Sequence, residues 1–330
     1  QQPPVEVGED HEVWRAGKAA VQSFGGAPQE LSGKSLRDAT VRLSEGVDMP
    51  LVGFGTWQLE GAKCTRTVKA ALDAGIRHID TAQSYENERR VGAALSQSGL
   101  PREELFLVTK LSEEKDFTTK GAVRRLGKQL ERLNTSYVDV YMLHGPSEQG
   151  RKRTLAAWRG LEQLLREGKA RAIGVSNFDH EELRWLLRKA ASKPTYIQNK
   201  LSPYDHAGDG TSHKLAPLLR KQGIRLVGYS VINPWPGLVS PLEDPNVLAA
   251  VARTEATATT AQALHRWALQ LGAAVIPKAS TPERIVENTK LFHFELSAAE
   301  MELLSGIALL MHRPPLPRDR QGETEASSEL

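Results

Sequence analysis

Asp80, Tyr85, Lys110 and His144 each sit at or just beyond the end of a short apolar run. A tyrosine with an ordinary pKa near 10 keeps its proton at neutral pH and can donate it. A neighbouring ammonium favours the tyrosinate and lowers that pKa toward useful acid catalysis. Lys110 can be that ammonium. A buried lysine loses its charge unless it is paired, and Asp80 can keep it ionised. His144 can donate a hydrogen bond to a substrate oxygen and fix its orientation. The set suits reduction of a carbonyl: hydride attacks carbon, negative charge grows on oxygen, and Tyr85 supplies the proton. Singly, each residue has a plainer role. Asp80 and Lys110 can be a structural ion pair, Tyr85 a loop aromatic and His144 a core histidine. The four together at one mouth favour chemistry.

Such a set needs a scaffold that brings distant positions together. Short apolar runs at 51–56, 78–81, 105–110, 138–144, 172–176, 195–199, 226–230 and 274–277 read as buried parallel strands. Helix-like stretches separate or follow them at 64–74, 87–97, 119–133, 154–167, 181–191, 214–221, 260–270 and 282–290. Gly75 and Gly168 fall where helix C-terminal glycines belong, Gly99 and Pro101 separate a helix from its next strand, and Asp179 is placed to cap a helix before Glu182. Strand starts recur about every 25 to 35 residues, the size of a βα unit. Eight units predict a (β/α)8 barrel, the TIM-barrel class, rather than an open doubly wound sheet. No Gly-x-Gly-x-x-Gly follows the first strand, which weakens a Rossmann reading. Residues 41–50, with Glu45-Gly46 at the turn, predict a hairpin capping one end.

Barrel enzymes carry reactive groups at strand C-termini. Here those positions hold Thr56, Trp57, Asp80, Lys110, His144, Ser176, Asn177, Tyr229, Ser230 and Lys278, with Tyr85 in a loop and Gln198 within a strand.

The chain has 330 residues, 43 basic and 40 acidic, for a formal charge of +3. No dense basic run is interleaved with aromatics, so nucleic acid is not an expected partner, and Arg151-Lys152-Arg153 reads as a solvated loop. One cysteine, Cys64, excludes an internal disulfide and a multi-cysteine metal site; no metal is expected. No apolar run approaches the ~20 residues that span a bilayer. The visible start, with Glu6, Glu9, Asp10 and Glu12, is too acidic for a transit peptide. A cytoplasmic monomer or weak oligomer is expected, although a targeting segment before Gln1 stays open. Residues 1–39 read as an extension outside the core with a short helix near 12–21, residues 40–311 as the barrel, and residues 312–330, with Pro314, Pro315 and Pro317, as a mobile tail.

Several segments resemble the aldo-keto reductase family: GFGTW at 53–57, GIRHIDTAQSYENERRVG at 75–92, VTK at 108–110, YMLHGP at 141–146, GKARAIGVSNF at 168–178, YIQNKLSPY at 196–204 and VIPKASTPERIVEN at 275–288. The likeness runs from about Val41 to Leu304 in the family's order. It implies an NADPH-dependent reductase of a small aldehyde or ketone, with Asp80, Tyr85, Lys110 and His144 catalytic and Tyr85 the proton donor. It implies that Ser176, Asn177 and Gln198 hold the nicotinamide carboxamide and that Tyr229 stacks on the ring. It further implies that Trp57, Tyr85 and His144 line the substrate site and that Thr56, Trp57, Asp80 and Ser230 also contact the cofactor.

Lys278 and Arg284 can clamp the 2′-phosphate of NADPH, since guanidinium suits phosphate geometry. Thr281 opens the helix after the last strand, and helix N-termini favour anions. Thr281, Arg284 and Asn288 recur at helical spacing, and Glu287 is either an adenine contact or a surface acid. Departures from the family are Lys200 for a usual Glu, Ala279 for a common Ser, Gly145 for a frequent large aromatic, and Ser230-Val231-Ile232-Asn233 for a frequent Ser-Pro-Leu-Gly. Gly145 implies a wider pocket, and the last departure puts the cofactor-covering loop in doubt. A regulatory or scaffold subunit that binds NADPH without turnover is the competing reading; a Schiff-base lyase using Lys110 is a third.

Overall fold

The computed structural model describes residues 11–25, 31–204, 211–232, 240–252 and 258–307. Helix α1 (His11–Phe24) is followed by a hairpin of β1 (Thr40–Ser44) and β2 (Val47–Pro50). Eight parallel strands then follow in sequence order: β3 (Gly53–Gly55), β4 (His78–Asp80), β5 (Phe106–Leu111), β6 (Val138–Leu143), β7 (Ala170–Ser176), β8 (Tyr196–Lys200), β9 (Arg225–Tyr229) and β10 (Ala274–Val275). Every residue of β5 and β6 is buried. That explains why they read as unbroken apolar runs: strands covered on both faces have no solvent side to alternate with.

The ring closes between its first and last strands. Val52 bridges Val275 in parallel, the Val275 N–H donates to Leu51 O at 2.8 Å, and the Gly55 N–H donates to Pro277 O at 3.1 Å. Glycine is required at this seam. A Cβ on Gly53 would lie 2.8 Å from the His78 ring, and one on Gly55 would lie 3.0 Å from Ile276 O. The fold is the (β/α)8 barrel that the strand spacing predicts.

The helices between strands are α2 (Gly61–Asp73), α3 (Glu88–Ser98), α4 (Thr119–Leu133), α5 (Arg151–Arg166), α6 (His180–Lys189), α7 (Thr211–Gln222), α8 (Pro245–Val251) and α9 (Thr260–Gln270); α10 (Pro282–Glu287) and α11 (Ala298–Gly306) follow β10. Their ends obey local chemistry. Asp179 accepts from the Glu182 N–H, and Glu182 answers from the Asp179 N–H, forming a capping box. Gly75, Gly99 and Gly168 take positive φ at helix ends, as expected from sequence. The hairpin covers the strands' N-terminal end: Arg171 donates to Gly46 O, Arg225 to Arg42 O, and the His78 ring meets Pro50 O.

Residues before the hairpin differ from the expected extension outside the core. Helix α1 packs on α11 and α7, with Val13, Ala20 and Val21 buried. Leu31 is also buried, and Glu295 accepts from the Leu31 and Ser32 N–H groups while pairing with the buried Arg266. Within α1, Glu12, Arg15, Lys18 and Gln22 lie on the outer face of an amphipathic helix whose apolar stripe is short. The tail at 312–330, Asn233 and the acids Glu6, Glu9 and Asp10 lie outside the described residues.

The crossing of α1 with α11 rests on two glycines. A Cβ on Gly17 would sit 1.8 Å from Glu302 O, and one on Gly306 would sit 2.2 Å from Val13 O. Gly127, exposed on α4, has open space around its absent Cβ. Gly17→Val is therefore expected to destabilise the protein by about 1–3 kcal/mol through overpacking. Gly127→Ala is expected to stabilise it by about 0.5–1 kcal/mol. Thermal or denaturant unfolding of both variants checks the pair, and a wild-type midpoint for Gly17→Val would show α1 undocked.

Candidate active site

The strand C-termini deliver the expected polar residues to one rim. Asp80 is the last residue of β4, Lys110 the penultimate residue of β5, and His144 follows β6 directly. Tyr85 closes a 3-10 turn, Gln83–Tyr85, just beyond β4. The four come together. Lys110 is fully buried, and its Nζ donates to Asp80 Oδ1 at 2.5 Å, Thr81 O at 3.0 Å and Tyr85 OH at 3.3 Å. An ammonium has three protons, and all three are used. Because the Tyr85 oxygen accepts from Lys110, its own proton is left for another acceptor. The Tyr85 and His144 rings meet edge to face, with centroids 5.5 Å apart.

Burial and charge set the protonation states. Burial pulls the Lys110 pKa down, but Asp80 and Tyr85 outweigh it, and the net shift is up. Lys110 is charged. For Tyr85 the outcome corrects the simple expectation of a lowered pKa. Burial, joined by the Asp80 charge, pushes it up more than the Lys110 charge and hydrogen bond pull it down. Burial, with Lys110 adding, lowers His144 to about 3, so the ring is neutral.

The remaining expected residues divide into two groups. Thr56 is buried, its hydroxyl donating to Asp80 O, and Ser176 and Gln198 are buried too. Gln198 spends its amide protons on Asp80 Oδ2 at 2.8 Å and the Tyr196 hydroxyl at 3.1 Å, leaving its carbonyl oxygen for any ligand. Asn177 is exposed, donates to His144 O and accepts from the Tyr229 hydroxyl at 2.6 Å. Asn177 and Ser230 both take positive φ, marking sharp turns out of β7 and β9.

Trp57 is 47% exposed, and Lys278 lies over its ring while donating to Gln58 Oε1. Thr281 caps α10, which is only six residues long, and Arg284 projects into solvent from it. Asn288 is buried at the end of α10, and Glu287 accepts from the Thr259 hydroxyl. Gly145 faces open space where a Cβ would stand.

Four residues were not singled out from sequence. Ser112 Oγ lies 2.7 Å from His144 Nδ1, and Ser84 Oγ lies 3.3 Å from it. Gln83 Oε1 accepts from the Ser112 N–H at 2.9 Å, and Gln58 receives Lys278. Ser112 stands two residues past Lys110 at a strand end, so the rule that found Lys110 could have found it.

Known proteins share this arrangement of chain and strands. The Aldo/keto reductase family profile matches residues 51–308. The chain belongs to this family. It is 40% identical over 275 residues to a glyoxal reductase of Bacillus subtilis, covering 83% of this chain and 94% of that protein. It is 34% identical over 301 residues to morphine 6-dehydrogenase of Pseudomonas putida, covering 88% and 97%. A crystal structure of an aldo/keto reductase from Brucella melitensis superposes with a TM-score of 0.72 at 33% identity, over 81% of this chain and 98% of that one. MGS-M4, an aldo-keto reductase from a Medee basin deep-sea metagenome library, gives 0.74 at 32%, over 81% and 95%.

The protein is thus an oxidoreductase of the aldo-keto reductase type, and small carbonyl compounds are the family's typical substrates. Helix α1 lies outside the matched residues. Among the described residues no helix is long and apolar enough to cross a membrane, and no cluster of His, Cys, Asp or Glu could hold a metal.

The shifts at Tyr85 and His144 fix a pH response. Tyr85 stays protonated below its raised pKa, and His144 stays neutral above about 3. Neither is expected to ionise between about pH 5 and 8, where a free histidine would. Ring-proton NMR of His144 across that range is expected to show no titration. A midpoint near the free value of about 6.5 would mean a solvated ring.

Proposed function

We propose that this aldo/keto reductase reduces an aldehyde or ketone to an alcohol with NADPH, Tyr85 donating the proton. The observation that carries the reading is the Asp80–Lys110–Tyr85 chain of hydrogen bonds at the rim, with the neutral His144 ring against Tyr85. Lys110 holds the Tyr85 oxygen from below, so the phenolic proton is directed to an acceptor in the mouth. His144 offers a second donor and orients the substrate oxygen. As negative charge grows on that oxygen, Tyr85 transfers its proton, and the nearby Lys110 charge stabilises the tyrosinate left behind. Bound beside these groups, a reduced nicotinamide would supply the hydride that the carbonyl carbon accepts.

The residues present fit that cofactor. Asn177 and Tyr229 form a polar, partly exposed ledge beside His144 that can receive a nicotinamide, with Ser176 and the Gln198 carbonyl beneath it. Arg284 is exposed, and its guanidinium makes no hydrogen bond or ion pair among the described residues. Lys278 has no carboxylate partner among them either, and burial together with the Lys63 charge lowers its pKa. Two cations without acids are a chemically suitable seat for a phosphate, which favours NADPH over NADH. Lys110 is charged and buried against Asp80, which runs against a Schiff-base role, since that chemistry needs a neutral amine.

Two measurements test the reading. Tyr85→Phe is expected to slow NADPH oxidation at least about 100-fold while leaving NADPH affinity within about two-fold. The assay panel includes glyoxal and other aldehydes and ketones, with morphine and NADP+ for the reverse direction. Turnover at the wild-type rate would overturn the role of Tyr85. Tight NADPH binding by the wild type without turnover of any carbonyl would favour the regulatory reading. Arg284→Ala is expected to weaken NADPH binding about 10- to 100-fold and NADH binding little, the size of one charge-assisted phosphate contact. Equal loss for both cofactors, read by fluorescence titration, would remove Arg284 from the 2′-phosphate.

A further inference from the structure

We infer that Ser112 is a positioning residue for the reaction. Its hydroxyl donates to His144 Nδ1 and so holds the ring in the tautomer whose Nε2–H faces the substrate oxygen. The inference rests on the reductase reading above and deepens it.

A neutral imidazole carries one proton, on either Nδ1 or Nε2, and the hydrogen bond at one nitrogen decides which. Only the Nε2–H form leaves a donor at Nε2. Two hydroxyls converge on Nδ1: Ser112 Oγ at 2.7 Å and Ser84 Oγ at 3.3 Å. Neither hydroxyl has another acceptor among the described residues. If Nδ1 carried the proton, both hydroxyl protons would lose their protein acceptor. Donation into Nδ1 satisfies the shorter bond fully and leaves Ser84, which is exposed, free to turn to water. His144 Nε2 has no hydrogen-bond partner among the described residues, so its proton is available to a ligand.

Ser112 can enforce this because its own backbone is fixed. The Gln83 carbonyl oxygen accepts from the Ser112 N–H at 2.9 Å and the Glu113 N–H at 3.3 Å. Gln83 is buried and donates in turn to Asp116, which Arg124 and Arg125 hold. Gln83 begins the same 3-10 turn that Tyr85 ends. The two donors aimed at the carbonyl oxygen, Tyr85 OH and His144 Nε2, are therefore referenced to one glutamine. The other side of His144 is fixed by its N–H to Leu111 O at 2.9 Å and by Asn177 on its carbonyl at 2.7 Å.

The test uses the full chain labelled with 15N-histidine. His144 is assigned by its loss in His144→Gln. Long-range proton–nitrogen spectra of the wild type near neutral pH are expected to show an unprotonated Nδ1 and a protonated Nε2. A protonated Nδ1 would overturn the inference. Ser112→Ala is expected to move both shifts toward a mixture of tautomers. It is expected to lower kcat/KM for carbonyl reduction about ten-fold, chiefly in kcat, a loss of the size of one hydrogen bond. NADPH affinity should stay within about two-fold. Ser112→Thr, which keeps the hydroxyl, is expected to restore both tautomer and rate, and Ser84→Ala to cost less than Ser112→Ala. Unchanged nitrogen shifts and kcat/KM within two-fold in Ser112→Ala would overturn the role. If Ser112→Ala does not fold, the wild-type shifts decide alone. A wild type that turns over no carbonyl would sink the reductase reading, while the nitrogen shifts would still report on Ser112 and His144.

Discussion

The rim is built around an ammonium group placed where no water reaches it. Moving a lysine and an aspartate out of water costs several kcal/mol for each ion, and only close geometry with every donor used repays it. Lys110 meets that condition with three acceptors for three protons, while Asp80 accepts from Lys110 on one oxygen and from Gln198 on the other. The arrangement fixes Tyr85 as a consequence. Its hydroxyl is the third acceptor, so its position and the direction of its proton follow from satisfying the ammonium. A change at Asp80 would strand a buried charge and disturb Tyr85 together.

The barrel makes this geometry possible. Adjacent parallel strands put Asp80 beside Val108 in register, which brings the Lys110 side chain within reach of Asp80 across one strand pair. The next pair sets Lys110 beside Met142, two residues before His144. The contacts among the four residues are thus set by register, and register is held by closure of the ring. The glycine seam at Gly53 and Gly55 lets β3 approach the exit of β10, which brings Trp57 and Gln58 to Lys278 on the far side of the mouth. One rim carries Asp80, Tyr85, Lys110 and His144 on and after β4 to β6 and the exposed cations after β10.

Much of this was legible in the chain. Eight apolar runs of the right spacing specified the barrel, because parallel strands covered on both faces leave an unmistakable trace. Helices 119–133 and 260–270 keep the bounds expected from sequence, and the structure shows Thr118 and Thr259 capping their starts. Polar residues at the ends of apolar runs pointed to the rim. Three things were not legible. The direction of the Tyr85 shift depends on how burial balances against the opposed charges of Lys110 and Asp80, and burial of a loop residue leaves no pattern in sequence. The docking of α1 depends on Gly17 and Gly306 meeting across the chain, a contact between residues far apart in sequence. Ser112 and Gln83 act through a hydrogen bond to a ring and to a backbone, and small polar residues in loops look alike until their partners are known.

The single charge of Lys110 acts on two neighbours in the same direction with different effects. At Tyr85 it opposes the rise that burial imposes, so the phenol stays protonated at rest but is a better acid than an equally buried tyrosine without the charge. At His144 it adds to burial and denies the ring a second proton. An imidazolium beside a growing oxyanion would be a competing acid, and would carry charge into the mouth before the substrate needs it. In the proposed reaction, with Lys110 charged, proton donation falls to Tyr85 and hydrogen bonding to His144. That division of labour needs the ammonium to stay ionised where water is absent, and Asp80 is the residue that keeps it so.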